Sequence, residues 1–325
     1  MLSFSDCHGI IDEQIKLLDI RHKKPTELYA PISYILSLGG KRIRPVMTLM
    51  ACNLFTGDVR PAVNPALAIE VFHNFTLVHD DIMDNASLRR GKPTVHAKWN
   101  NNIAILSGDA MQVYVYQLLV GDNPVFLKTL LDVFNATALE VCEGQQYDMN
   151  FSKLPNVTLD DYLQMIELKT SVLLAASLKI GAICGGATDE NAQKLYEFGR
   201  NLGLAFQIQD DYLDVYGDQD LFGKTLGGDI AENKKTFLLI KALELAKGKA
   251  ADDLQRAISN QISNSFEKVE VVRGIYDDLN IPQITCDKIA EFSDKAFEYL
   301  SAVTIGDSRK SHLSELARGL MVREK

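Results

Sequence analysis

Two acidic clusters have the same form, Asp80-Asp81-Ile82-Met83-Asp84 and Asp210-Asp211-Tyr212-Leu213-Asp214. Each closes a strongly apolar stretch. In an α-helix, residues four apart share a face, so Asp80 and Asp84 point one way, and so do Asp210 and Asp214. Like charges at that spacing repel and weaken the helix, so something must offset them. A divalent cation does this, and Mg2+ prefers carboxylates completed by phosphate oxygens and water. One such cluster alone reads equally as a solvated acidic helix end. Two matching clusters favour a pair of helices that meet at one metal site.

Cations follow the same logic. Gly39-Gly40-Lys41-Arg42-Ile43-Arg44-Pro45 sets three cations beside two glycines. Glycine lets the backbone approach a ligand closely, and arginine forks onto phosphate oxygens. Arg89-Arg90-Gly91-Lys92-Pro93 follows the first acidic cluster, and Lys169-Thr170, Lys224-Thr225 and Lys234-Lys235-Thr236 come later. Each alone reads as a solvated basic turn. Together they suit two diphosphates, each multiply anionic.

The elements that position these residues read as helix after helix. Leu67 to Met83, Ile103 to Val120, Lys169 to Cys184, Ala192 to Tyr216 and Lys235 to Lys247 insert polar residues at helical spacing. Between them stand turn signals: Gly57-Asp58, Gly121-Asp122-Asn123-Pro124, Lys153-Leu154-Pro155-Asn156, Gly185-Gly186 and Gly227-Gly228-Asp229. No alternating strand of useful length and no low-complexity linker is seen, which predicts one all-α domain over 1–325. Of 325 residues, 46% are hydrophobic and 24% charged, ordinary values for a globular chain. A net charge of −9 argues against nucleic acid as a partner. The five cysteines are scattered without CxxC spacing, which predicts reduced thiols and a cytoplasmic location. No signal peptide is recognised, and no run approaches the length of a membrane span.

Taken in order, these landmarks resemble the trans-isoprenyl diphosphate synthases, the polyprenyl synthetases, over nearly the whole chain. The resemblance rests on 39–45, His73, Asp80-Asp81-x-x-Asp84, Arg89-Arg90-Gly91, Lys169-Thr170, Phe206-Gln207, Asp210-Asp211-x-x-Asp214, Lys224 and Lys234. It implies an all-helical isoprenoid synthase bundle around a central cavity, usually a homodimer. It implies that isopentenyl diphosphate is joined to an allylic diphosphate with Mg2+, about three ions per site. Asp80, Asp84 and Asp210 would ligate Mg2+, with Asp81, Asp211 and Asp214 as ligands or support. Lys41, Arg44, His73 and Arg90 would hold isopentenyl diphosphate. Arg89, Lys169, Lys224 and Lys234 would hold the allylic diphosphate, with Thr170 and Gln207 beside the reacting carbons. The departing diphosphate is then the proton acceptor, His73 a diphosphate donor, and His79 a packed helix residue.

Product length should depend on the helix ending at Asp80. Thr76, Phe75 and Phe72 stand four, five and eight positions before it. At helical rise, Phe75 lies roughly 7.5 Å below Asp80 and Phe72 about 12 Å. Either ring is able to close a tunnel, although a phenylalanine on an apolar helix is more often ordinary core. By the resemblance, an aromatic at Phe75 without an insertion in the first motif points to a twenty-carbon geranylgeranyl product, then to farnesyl or longer chains. Met111, Tyr114 and Val115 are candidates for the facing wall. A class I terpene cyclase is the nearest alternative. The second motif, with Lys41 and Arg44, favours elongation instead. A non-catalytic regulatory subunit would be expected to lose a cluster, and none is lost.

Overall fold

The computed structural model describes residues 1–18, 20, 22–121, 125–218, 226–259, 261–262 and 264–322. The protein is all-α. In chain order the helices are α1 (Phe4–Leu17), α2 (Thr26–Ser37), α3 (Ile43–Phe55), α4 (Arg60–Met83), α5 (Val95–Lys98), α6 (Asn101–Val120), α7 (Leu127–Phe151), α8 (Leu159–Ile166), α9 (Val172–Cys184) and α10 (Asp189–Tyr216). They continue with α11 (Gly228–Ala231), α12 (Phe237–Leu245), α13 (Lys249–Ile258), α14 (Ser265–Asp278), α15 (Ile281–Ala302) and α16 (Asp307–Met321). Their starts carry local reasons. Ser3 with Asp6, and Thr158 with Asp161, form reciprocal capping boxes, and Asn100 and Thr236 accept from the amides of Ile103 and Leu239.

Two departures from the sequence expectation are local. Leu88–Arg89 and Lys92–Pro93 pair antiparallel, a ladder too short for any alternation to show. The turn residues Arg90 and Gly91 both have positive φ, 52° and 71°, which matches the right-handed twist of the strands. The helix expected from Lys169 starts instead as a π-helical turn, Glu167–Ser171, and becomes α-helical at Val172.

By its contacts the chain forms two compact units. The first comprises 1–135, 176–196 and 304–313. Within it α4 packs on α6 and α3, α2 on α6, and α1 on α3. Helix α4 is enclosed on several sides, burying Ala66, Ala68, Ile69, Val71, Phe72 and Val78, with Glu70 and Asn74 among them. Residues 65–72 are buried without a break, so this stretch of the helix lies in the core on all its faces. Helix α6 is 20 residues long with mean hydropathy 1.3, enough by length and composition to cross a membrane. That corrects the expectation that no run approaches such a length. Only a third of that stretch is buried, and its open face carries Ile105, Leu106, Val113, Tyr116 and Val120.

The second unit comprises 136–175, 197–303 and 314–325. One of its cores gathers Val215, Leu238, Leu254, Val272, Tyr276 and Ile281. Another joins Phe151, Tyr162, Ile166, Leu204, Ile208 and Phe237. The second core anchors α8 and α10, which carry the polar groups described next.

Candidate active site

In the first unit the acidic motif lies on the last turn of α4. Asp80 is half-buried, Asp84 exposed, and Asp81 turned inward at 1% exposure. Arg89 meets Asp81 as a fork: Nε donates to both carboxylate oxygens at 3.0 Å and Nη2 to Oδ1 at 2.7 Å. The tight hairpin turns Arg90 elsewhere, and its Nη1 donates to the Gly39 carbonyl. Gly40 has φ +130°, a conformation that favours glycine, and a Cβ there would stand 2.8 Å from the Arg90 guanidinium and displace it. The sequence placed both arginines on diphosphates. Here each guanidinium contacts the protein's own oxygens.

Lys41 is exposed beside this contact. Arg44 Nη1 donates to His73 Nε2 at 3.3 Å, which leaves the ring proton on Nδ1. Burial, then Arg44, Arg90, Arg89 and Arg42, drive the His73 pKa well below its ordinary value, so His73 is neutral. Its neutral ring has one N–H to give and no charge to add. His79 donates instead to the Ile105 carbonyl at 3.2 Å and stands edge-on to Phe75 at 4.7 Å.

The second unit arranges its motif around a buried carboxyl. Asp211 accepts from the Tyr162 hydroxyl at 2.7 Å and the Gln207 amide at 3.2 Å. Burial raises its pKa to about 7 against the pull of Lys234. Gln207 also accepts from Thr170 Oγ1 at 3.0 Å, so the π-helical turn is tied to α10. A π turn widens the backbone and re-aims its side chains. Its Lys169 donates to Asp148 at 2.5 Å. A Cβ on Gly144 would lie 2.3 Å from the Lys169 amide nitrogen, so α7 passes against this turn without a side chain.

Asp214 accepts from the Asp229 amide at 2.9 Å, and Lys234 lies 3.3 Å from the Asp229 carboxylate. Burial opposes the Lys234 charge, but Asp229 and then Asp211 outweigh it and hold the ammonium above its ordinary range. Lys224 lies outside the described residues. Asp148, Tyr162 and Asp229 were not found by sequence. Asp229 was legible only as part of a Gly-Gly-Asp turn, and Asp148 and Tyr162 belong to no motif.

The residues expected to set product length separate. Phe72 is fully buried, edge-on to Phe134 at 5.1 Å, and Phe134 is edge-on to Tyr116 at 5.7 Å. Phe75 is half-buried, and the Thr76 hydroxyl donates to the His73 carbonyl at 2.8 Å. Met111 and Val115 are buried, whereas Tyr114 lies under Lys23, 5.2 Å from its Nζ. A cavity of about 330 Å³ at the start of α4 is lined by Arg60, Pro61, Asn64, Pro65, Leu118 and Gly121.

Among the described residues no three His, Cys, Asp or Glu groups converge into a ready metal cage. The donors are aspartate oxygens, one helical turn apart on each motif. Such hard, incomplete sets fit Mg2+, which keeps waters and takes its remaining ligands from substrate phosphate. They do not fit a structural Zn2+ site, which is closed by four protein ligands.

Fold and side chains together define a class: an all-α protein with two aspartate-rich helix ends, each set among cations suited to phosphate. The polyprenyl synthetase family model matches residues 25–279, and the chain belongs to that family. It is 44% identical to the geranylgeranyl diphosphate synthase of Methanosarcina mazei over 223 residues, 68% of this chain and 69% of that one. It is 37% identical to the short chain isoprenyl diphosphate synthase of Methanothermobacter thermautotrophicus over 96% of this chain and 95% of that one. A crystal structure of a geranylgeranyl pyrophosphate synthase superposes with a TM-score of 0.94 at 42% identity, covering 100% of both chains.

Proposed function

We propose that this protein is a Mg2+-dependent prenyltransferase. It condenses isopentenyl diphosphate head-to-tail with an allylic diphosphate, and its product is all-trans geranylgeranyl diphosphate. The observation that carries this reading is that both acidic motifs are present and each shares its compact unit with cations: Arg89, Arg90, Lys41 and Arg44 in the first, Lys169 and Lys234 in the second.

Asp80, Asp84, Asp210 and Asp214 are the residues that would hold Mg2+. When bound, the metal neutralises charge on the departing diphosphate. The chain's own part is electrostatic preorganisation, which supplies most of the rate enhancement in many sites of this kind. Lys169 and Lys234 grip the allylic diphosphate. Its C–O bond breaks with the electron pair leaving on oxygen, and an allylic cation remains. Thr170 and Gln207 present oxygen dipoles to that cation. The double bond of isopentenyl diphosphate, held through Lys41, Arg44 and the neutral His73, attacks it. A new C–C bond forms and leaves a cation on the former isopentenyl unit; the adjacent carbon then gives its proton to the departed diphosphate, and the C–H electrons form the new double bond.

The half-buried Phe75 and the buried Phe72 support a closed apolar path below Asp80. The exposed apolar face of α6 supports homodimerisation, because exposed stripes of this kind mark association surfaces. Five cysteines, none of them in a disulfide, fit a reducing, cytoplasmic compartment.

The test is product sizing. Purified protein is incubated with Mg2+, isopentenyl diphosphate and dimethylallyl, geranyl or farnesyl diphosphate, and the products are dephosphorylated and measured. A dominant twenty-carbon alcohol is expected. A ladder to thirty carbons or more keeps the chemistry and discards the closed floor. No elongation from any starter overturns the reading.

A further inference from the structure

The sequence 39–45 holds three cations, of which Lys41 is exposed, Arg44 half-buried and Arg42 buried. Arg42 is turned into the first unit at 6% exposure and meets Glu70, itself 2% exposed. Its Nη1 donates to Glu70 Oε1, and its Nη2 donates to the Leu36 carbonyl at 2.6 Å. Asp12 Oδ1 stands 3.7 Å from its Nε. Glu70 is fixed in turn by Asn74, fully buried, whose amide donates to Glu70 Oε1 and to the Glu70 carbonyl, both at 2.8 Å. One guanidinium therefore joins α1, the last turn of α2 and the middle of α4.

Arg42 itself has φ 48° and ψ 34°, a left-handed conformation that a residue with a Cβ adopts only when its surroundings enforce it. Helix α3 begins at the next residue. Lys41 lies immediately before this bend and Arg44 two residues after it. The same stretch of α4 that presents Glu70 to Arg42 presents His73 to Arg44. A buried ion pair has little net value over apolar residues of the same volume. What it adds is direction, because a planar guanidinium held at once by the Glu70 carboxylate and the Leu36 carbonyl has its orientation fixed. A guanidinium so enclosed does not reach a solute.

We propose that Arg42, Glu70 and Asn74 form a positioning brace that fixes the left-handed bend and so aims Lys41 and Arg44 at isopentenyl diphosphate. This rests on the reading that Lys41 and Arg44 hold that substrate. The brace is expected to act on one substrate only, because its hydrogen bonds run to the Leu36 carbonyl and among its own members, while Arg89 of the same unit is held by Asp81.

The experiment compares Glu70→Gln, the volume-keeping pair Arg42→Met with Glu70→Leu, and Lys41→Ala as the control for the loop itself. Steady-state KM is measured for each diphosphate with the other saturating, after circular dichroism shows which variants fold. The expected result is a rise of about tenfold in KM for isopentenyl diphosphate in all three, with allylic KM and kcat within about twofold. Arg42→Lys is expected to behave like the pair variant, since one ammonium does not span both Glu70 and the Leu36 carbonyl. A raised KM in Lys41→Ala with normal values in the folded pair variant overturns the brace and leaves the substrate assignment standing. An unchanged KM in Lys41→Ala overturns the assignment, and the brace with it.

Discussion

Asp81 and Asp211 hold the same place in the two motifs, and both are buried, yet their surroundings differ in kind. Asp81 faces a guanidinium, with three Arg89 contacts of 2.7–3.0 Å. Among the described residues Asp211 is hydrogen-bonded by neutral donors, the Tyr162 hydroxyl and the Gln207 amide, and burial raises its pKa to about 7 although the Lys234 ammonium pulls the other way through its field. The first unit compensates a buried charge with an opposite charge. The second weakens the charge and satisfies its oxygens. A repeated sequence pattern therefore does not imply a repeated environment. What both units share is the outer pair of aspartates, one turn apart on a helix end.

That shared feature should carry the largest effect. Asp80→Ala and Asp210→Ala are each expected to lower kcat by at least about 10³-fold, the scale lost when preorganised charge stabilisation is removed. Both should fold, because each deletion relieves like-charge repulsion. A folded variant within tenfold of wild type in a Mg2+ assay removes that aspartate from the metal set.

The differing feature predicts unequal stability costs. Arg89→Met leaves Asp81 as an unpaired buried carboxylate and is expected to cost about 3 kcal/mol. Tyr162→Phe removes one neutral hydrogen bond to a carboxyl already disposed to take a proton, and about 1 kcal/mol is expected. Urea unfolding of both variants at pH 7 checks the order. Equal costs would mean that the two buried aspartates are held alike after all.

A third effect concerns the cation side of the first unit. His73 has its pKa lowered by burial and by four arginines. Below its unfolded value of 6.5 the unfolded chain binds a proton that the folded chain refuses, so stability falls as the pH drops. Between pH 7.5 and 5.5, wild type is expected to lose about 1 kcal/mol more than His73→Gln. Identical pH profiles for the two proteins would show that neither burial nor the arginines lower the pKa of this ring in the folded state.

Long helices and paired aspartates were legible because each has a period or spacing that local physics enforces. The span expected at Ile103 to Val120 is α6 within two residues, and Asp80 with Asp84 stand as helical spacing requires. What escaped was set by tertiary neighbours. Nothing local distinguishes Arg42 from Lys41, yet one is buried on Glu70 and the other exposed. The π turn at Glu167–Ser171 was invisible because its extra width is held by long-range partners, Thr170 on Gln207 and Gly144 against Lys169. Tyr162 is 49 residues from Asp211, and no pattern joins them.

The smallest expected effect separates two ion pairs by exposure. Arg89–Asp81 has one side chain at 1%, whereas Lys169 and Asp148, 2.5 Å apart, are open at 28% and 26%. Solvent screens the second pair, and partly exposed pairs of this kind contribute about 0.5 kcal/mol. Asp148→Asn should therefore move the unfolding free energy by no more than about 0.5 kcal/mol. Its kinetic consequence should be the opposite of a lesion, since Lys169 no longer has a carboxylate competing for it. KM for the allylic diphosphate is expected to fall by about two- to threefold, with KM for isopentenyl diphosphate unchanged. A loss of about 2 kcal/mol or more would make the Lys169–Asp148 pair a structural one, equivalent to Arg89–Asp81. A raised allylic KM in a stable variant would mean that Asp148 holds Lys169 in its working position, so that the second unit, too, uses an ion pair to aim a cation.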